Sequence, residues 1–211
     1  MTLQDMVVQA CFLWGCNIDP PPKKPVIVNN TVSVKYKQPK AYYISLIKKY
    51  SKNPSWTAAQ IEQESNWNAK AKSWAKGQGL GQFIPSTGKW AARGICAHLG
   101  KYTPFNPVWS IRCSVIYMEH LSKHKDYGDR CTNLYVTLMR YNGGNYVKRE
   151  LARSWTKSEG YSLKRARLYC RRASWACKEN YEYPNRIAKR QIKYVHLGGK
   201  SCPIVKTSRT H

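Results

Sequence analysis

Carboxylates are scarce in this 211-residue chain: 11 Asp and Glu stand against 36 Lys and Arg, a net charge of +25. Any mechanism that needs an acid must draw on Asp5, Asp19, Glu62, Glu64, Glu119, Asp126, Asp129, Glu150, Glu159, Glu179 or Glu182. Long apolar runs are missing too. The one stretch near the start, Met6 to Gly15, is too short to span a bilayer. It follows Asp5 rather than a basic segment, so it makes a poor secretory signal and Sec export is not expected. No Cys-x-x-Cys pair occurs, and the spacings Cys11 to Cys16 and Cys170 to Cys177 match zinc sites poorly. His120 and His124 stand i, i+4 as on a zinc helix, but Leu121 replaces the Glu of His-Glu-x-x-His, so an ordinary helix face is expected and no metal. No helix-turn-helix, finger or RNP motif accompanies the positive charge. No internal repeat is present, which excludes solenoid architectures.

What is present is a 42% hydrophobic fraction, enough for a core, in a length that suits one domain plus an arm. The even count of 8 Cys favours disulfides over free buried thiols or metal, but roughly a hundred pairings are open and sequence does not choose one. The 8 Trp and 15 Tyr pack cores and also line sugar-binding clefts. A field of +25 attracts polyanions. Nucleic acid, anionic cell-wall polymers, lipopolysaccharide and acidic membranes all qualify, and charge alone does not separate them.

Three regions follow from composition. Residues 1–40 read as an arm, stiffened by Asp19-Pro20-Pro21-Pro22-Lys23-Lys24-Pro25, with one strand over Val26 to Tyr36 and a docking role. Residues 41–197 read as a mainly helical domain. Helices are expected from Ala41 to Lys49, after Pro54 with Thr57 as cap, over Ser86 to Arg93, and over Pro107 to His124 with Ile111, Val115, Met118 and Leu121 on one stripe. Further helices are expected around Leu134 to Tyr141, ending at Gly143-Gly144, over Arg165 to Cys177, and over Pro184 to Val195. Residues 198–211 read as a loose basic tail.

Glu62 and Glu64 lie two apart on one expected helix and so point roughly 200° apart. Periodicity does not decide which faces a cleft. The surrounding pattern goes further. Glu64-Ser65 is followed by Ser73, by Gly79-Leu80-Gly81-Gln82-Phe83-Ile84-Pro85-Ser86-Thr87, and later by Tyr141-Asn142-Gly143-Gly144 and Tyr183 with Arg186 and Ile187. In that order the segments resemble the signature of the soluble lytic transglycosylases, across residues 41–197. The resemblance implies an α+β, mainly α, lysozyme-like fold of the goose-type kind, with a single catalytic domain behind the N-terminal arm. It also implies roles. Glu64 would be the catalytic acid and base. Ser65 and Ser73 would support the Glu or the sugar, Gln82 would line the cleft, and Tyr141 and Asn142 would hold Glu64 and substrate. Tyr183, with Glu179, would close the far side.

The implied reaction is cleavage of the MurNAc-β-1,4-GlcNAc bond of peptidoglycan to a 1,6-anhydromuramoyl end, without a cofactor. Most glycosidases need two carboxylates. Here the sugar's own 6-hydroxyl is the tethered nucleophile, so one suffices. That one must start protonated, so burial has to raise its pKa; Trp67, Phe83 and Tyr141 are the expected wall. A hydrolytic muramidase of the same fold and a non-catalytic virion or wall-binding protein stand as alternatives. Lys76-Gly77 replaces the family's usual Gly-Ala, and Gly81 its frequent Met, which is expected to widen or loosen the site. A cysteine-rich, wall-directed chain without a signal peptide points to a phage protein, virion-associated or released at lysis. In that reading it acts on the periplasmic wall, and residues 1–40 dock on tail or other virion proteins.

Overall fold

Proline sets three of the helix starts. Its missing N–H is not needed at the first helical position, and its fixed φ suits the first turn. The structure, a computed structural model, describes residues 39–123, 129–156, 160–161 and 175–204. In it α1 (Lys40–Tyr50) closes on Lys48 and Lys49, cations at the negative end of the helix dipole. The prolines open α2 (Pro54–Ser65), α3 (Pro85–Arg93) and α4 (Pro107–Ser122). The Asn106 side chain accepts the N–H groups of Val108 and Trp109 to cap α4. Thr57 does not cap α2. The helix starts three residues earlier, and the Thr57 hydroxyl pairs with Ser51 Oγ at 2.8 Å.

A 3-10 turn, Ala97–Leu99, precedes α4. α5 (Arg130–Ser154) consists of two helical pieces meeting at Gly144, where φ is 54° and ψ −133°. β1 (Trp155–Thr156) pairs antiparallel with β2 (Gly160–Tyr161), Trp155 opposite Tyr161. α6 (Trp175–Gln191) runs through Pro184 instead of starting there, and a 3-10 segment, Ile192–Leu197, follows it. Tyr183, Pro184, Asn185 and Ile187 are all buried, so packing holds the helix where proline removes a hydrogen bond.

The core lies where α2 packs on α6, α6 on α5, α5 on α4 and α4 on α1. Ile47, Ile61, Leu80, Ile111, Leu138 and Ile187 are fully buried there. Each such side chain stabilises the fold by about 1.5–3 kcal/mol. The expected α4 stripe is inward: Ile111, Val115 and Leu121 are buried and Met118 packs against the core. A smaller cluster of Phe83, Ala91 and Trp109 surrounds the Cys96–Cys113 disulfide.

A second disulfide, Cys131–Cys202, overturns the expected loose tail for residues 198–204. This segment is pinned. Trp56 Nε1 donates to the Lys200 carbonyl (3.0 Å), Tyr135 Oη to the Pro203 carbonyl (2.6 Å), and Ser201 Oγ to Gln191 Oε1 (3.1 Å). The expected arm with its strand, most of the expected helix 165–177, Cys11, Cys16, Cys170, His124 and residues 205–211 lie outside the described residues. Among the described residues no helix is long and apolar enough to cross a membrane.

Candidate active site

The two adjacent acids of α2 meet opposite environments. Glu62 accepts Lys193 Nζ at 3.0 Å and Tyr194 Oη at 2.9 Å. Burial pushes its pKa up, but these two bonds together with the charges of Lys193 and Lys40 outweigh burial and hold the carboxyl below its usual range. Glu64, on the other side of the helix, is pushed up to about 7 by burial. A hydrogen bond from Tyr183 Oη to Glu64 Oε1 and the nearby charge of Arg186 pull the other way without cancelling the shift. Glu62 is therefore a fixed anion, and Glu64 is an acid that still carries its proton near neutrality.

The chain leaves α2 abruptly just past Glu64. Asn66 and Trp67 both take left-handed backbone, with φ of 46° and 64°. Asn tolerates this conformation, whereas for Trp it costs roughly 1–2 kcal/mol. Packing holds Trp67 there: its ring stacks on Tyr43 at 6.4 Å, and its Nε1–H donates to Tyr194 Oη at 3.2 Å. Trp67 thus belongs to the core and not to the wall around the acid. Ser65 is also turned inward, its hydroxyl donating to the Ile61 carbonyl at 3.0 Å.

Tyr183 approaches from α6. Burial, then the charge of Glu64, raise its own pKa well above the usual value, so it remains a hydrogen-bond donor. Arg186, one turn further on, is held by Glu179 in an ion pair. Glu179 therefore does not reach the cleft; it positions and partly offsets the guanidinium beside Glu64.

Residues 71–83 form the opposite wall. Gln82 has left-handed backbone (φ 49°), and its Nε2 donates to the Gly79 carbonyl at 2.8 Å and the Ala71 carbonyl at 3.3 Å. Ser73 Oγ accepts the Gly77 N–H at 2.9 Å. Lys76, where the resembling family carries Gly, sits at φ 66°. Gly79 is required by space: a Cβ there would lie 1.7 Å from the Pro104 carbonyl oxygen.

Gly81 does not loosen the site. Its N–H donates to Ser110 Oγ (3.0 Å) and its carbonyl accepts Tyr141 Oη (2.7 Å). A Cβ on it would stand 2.1 Å from Ser114 Oγ, which itself lies 3.2 Å from Tyr141 Oη. Ser114 and Tyr141 fill the room a larger residue would take. Gly81→Ala is expected to destabilise the protein by about 1–3 kcal/mol through overpacking, read as a lowered denaturation midpoint; an unchanged midpoint would refute the tight fit.

Together these parts enclose a cleft of about 380 Å³ lined by Glu64, Ser73, Gln82, Phe83, Tyr117, Tyr141 and Asn142 among others. The structure thus brings Glu64, Ser73, Gln82, Tyr141 and Asn142 to one cleft and Tyr183 to the acid itself, and leaves Ser65 and Glu179 outside. Phe83 and Tyr141 do form wall, their rings 6.0 Å apart. Asn142 Nδ2 donates to Asn180 Oδ1 of α6. Tyr117 and Asn180 went unnoticed in the sequence. Tyr117 lies off the apolar stripe of α4, and no motif marks Asn180. Among the described residues no three His, Cys, Asp or Glu side chains gather as a metal site.

A mainly helical domain with one proton-bearing acid at the end of a buried helix, facing an open cleft, is of the lysozyme-like class. Its fold is similar to that of the 70 kDa soluble lytic transglycosylase SLT70 from Escherichia coli, with a TM-score of 0.57 and 21% identity over 74% of this chain and 24% of that one. The Transglycosylase SLT domain signature matches residues 41–163, and the chain belongs to that family. It spans about a quarter of the length of SLT70. No curated protein sequence matches it.

Proposed function

We propose that the protein is a peptidoglycan lytic transglycosylase that cleaves the MurNAc-β-1,4-GlcNAc bond with Glu64 as acid and then base. One observation carries the reading: Glu64 is the only carboxylate among the described residues that lines the cleft, and burial raises its pKa to about 7. Glu62 is engaged by Lys193 and Tyr194, and Glu179 by Arg186. A site with one available acid suits a reaction whose nucleophile is built into the substrate.

In the proposed cycle Glu64 gives its proton to the glycosidic oxygen as the bond to the anomeric carbon breaks. The leaving sugar departs with a free hydroxyl. The 6-hydroxyl of the muramyl unit then closes on the anomeric carbon, and its proton returns to Glu64. Tyr183 steadies the carboxylate between the two transfers, while Ser73, Gln82, Tyr141 and Asn142 hold the sugar. Mass spectrometry of products from purified peptidoglycan tests this. Soluble muropeptides one water lighter than hydrolysis products are expected. Hydrated ends would make the protein a muramidase, and no products would make it a wall-binding or structural protein.

The pH dependence follows from the raised pKa. The rate is expected to be flat at mildly acid pH and to fall about tenfold per pH unit above roughly 7, as the acid loses its proton. The Tyr183 hydrogen bond favours the carboxylate, so Tyr183→Phe should move this falling limb to higher pH. A limb that stays put or moves down in rate-against-pH measurements would contradict the assignment.

The two disulfides among the described residues and a charge of +25 suit a protein acting outside the reducing cytosol on an anionic wall. The delivery route proposed is a phage, either carried in the particle as the genome enters or released at lysis. Presence in purified particles would support the first; absence from particles together with secretion by the host would sink both.

A further inference from the structure

One turn before Glu64, on the same side of α2, stands Gln60. Trp56, Ala59 and Ile61 beside it along the helix are buried and apolar, and Gln60 is itself only 3% exposed. An apolar side chain would serve packing better there. The Gln60 amide nitrogen is shut off from solvent and makes no hydrogen bond among the described residues. A buried donor without an acceptor costs stability, so its presence calls for a reason.

Gln60 bears on the acid's own partner. α2 packs on α6, and the Gln60 amide favours negative charge on the Tyr183 oxygen without closing a hydrogen bond to it. The Tyr183 O–H is directed at Glu64 Oε1, while its oxygen keeps lone pairs able to accept. Tyr183 is buried as well, which shields those lone pairs from bulk solvent. The groups follow one another as Gln60, Tyr183 and Glu64, with one link made and one open.

The open link has a chemical trigger. While Glu64 holds its proton, it draws only weakly on the Tyr183 O–H. Once that proton passes to the glycosidic oxygen, the carboxylate pulls on the O–H, and the charge drawn onto the phenol oxygen makes it a stronger acceptor. Hydrogen bonds in such a chain polarise one another where the dielectric is low. We propose that Gln60 is a positioning residue for the reaction: its amide closes on Tyr183 Oη as Glu64 ionises, and the Gln60–Tyr183–Glu64 chain steadies the carboxylate formed in mid-cycle. No proton moves along it. Tyr183 keeps its own, and the Glu64 proton goes to the leaving sugar and is replaced from the 6-hydroxyl, as above. The other groups near Glu64 do not fill this role. Arg186 of α6 acts through space and is paired with Glu179, Tyr141 of α5 donates to the Gly81 carbonyl, and Glu62 is held by Lys193 and Tyr194. The assignment rests on Glu64 as the acid of the proposed cycle.

Gln60→Met removes the N–H and keeps the length of the side chain. Two readouts test it: the Glu64 titration followed by NMR of labelled carboxyls, assigned by its loss in Glu64→Gln, and rate against pH on purified peptidoglycan. In Gln60→Met the titration midpoint and the falling limb are expected to rise by about one pH unit, and kcat at mildly acid pH to drop about tenfold with KM unchanged, the scale of one hydrogen bond serving a charge. The melting temperature should hold or rise, because an unpaired donor has given way to an apolar group. In a Tyr183→Phe background the same substitution should add nothing to either readout. An unmoved midpoint, an unchanged kcat in an active enzyme, or equal effects with and without the Tyr183 hydroxyl would overturn the proposal. Gln60→Leu gives the same decision if Gln60→Met does not fold. A wild type that cleaves no glycan would overturn the peptidoglycan reading alone, and the titration would still decide whether Gln60 acts on Glu64 through Tyr183.

Discussion

Glu64→Gln is expected to lower turnover by about a thousandfold or more, the usual scale for loss of a positioned general acid, while leaving the fold intact and making it more stable at high pH. The amide has the shape of the protonated carboxyl and still accepts the Tyr183 hydroxyl, but it has no proton to give. The stability gain follows from the same burial. Glu64 titrates at about 7 in the folded protein against an ordinary 4.5. Below about 4.5 the acid is neutral in both the folded and the unfolded chain. Between the two values the folded protein holds a proton that the unfolded chain has released, so stability falls as pH rises, and the loss is complete above about 7. Gln never ionises. The difference in melting temperature should therefore move in favour of the variant between pH 5 and pH 8. Parallel melting curves across that range would mean that Glu64 is not the strained acid described here, whatever the activity shows.

Replacing Cys131 and Cys202 together by Ser should lower stability by about 4 kcal/mol, more than replacing Cys96 and Cys113, for which about 3 kcal/mol is expected. The ordering follows from the closed loops, with sequence separations of 71 and 17 residues. The longer loop also contains Tyr141 and Tyr183, which bear on Gly81 and Glu64. Its bridge holds the 198–204 segment against Trp56, Tyr135 and Gln191. Denaturation of the two double variants, with activity followed alongside, checks this. Equal losses from the two bridges would show that loop length is not what matters, and full activity in the Cys131/Cys202 variant near its midpoint would uncouple the bridge from the site.

The two acids of α2 show where sequence reasoning stops. Glu62 and Glu64 look alike along the chain, and what separates them arrives from far away: Lys193 and Tyr194 for one, Tyr183 for the other, 119 to 132 residues distant. No local pattern encodes that. Pro85 and Pro107, by contrast, announce helix starts in their own chemistry, and the α4 stripe reads inward as its spacing predicts. The errors share one cause. Trp67 reads as cleft wall from its place beside Glu64, but the left-handed turn at Asn66 sends it into the core, while Ser65, a site residue by resemblance, ends the helix with its hydroxyl turned back to the Ile61 carbonyl. Gly81 looked like a gap because a missing side chain says nothing about what fills its place. The 198–204 segment looked loose because the partner of Cys202 is not written beside it.

The left-handed residues around the cleft have a consequence of their own. Asn66 and Trp67 form the turn just past the acid, Lys76 and Gln82 belong to the opposite wall, and all four carry side chains where glycine would sit more easily. Strain of this kind, of order 1–3 kcal/mol per residue, survives only where neighbours over-determine the backbone, as the Gln82 amide does by clamping the Gly79 and Ala71 carbonyls. The rim is in effect preloaded, already bent into shape before anything binds. A polymer sliding into it meets a template that does not have to be formed, and the free energy of contact is left to deform the strand instead of the protein.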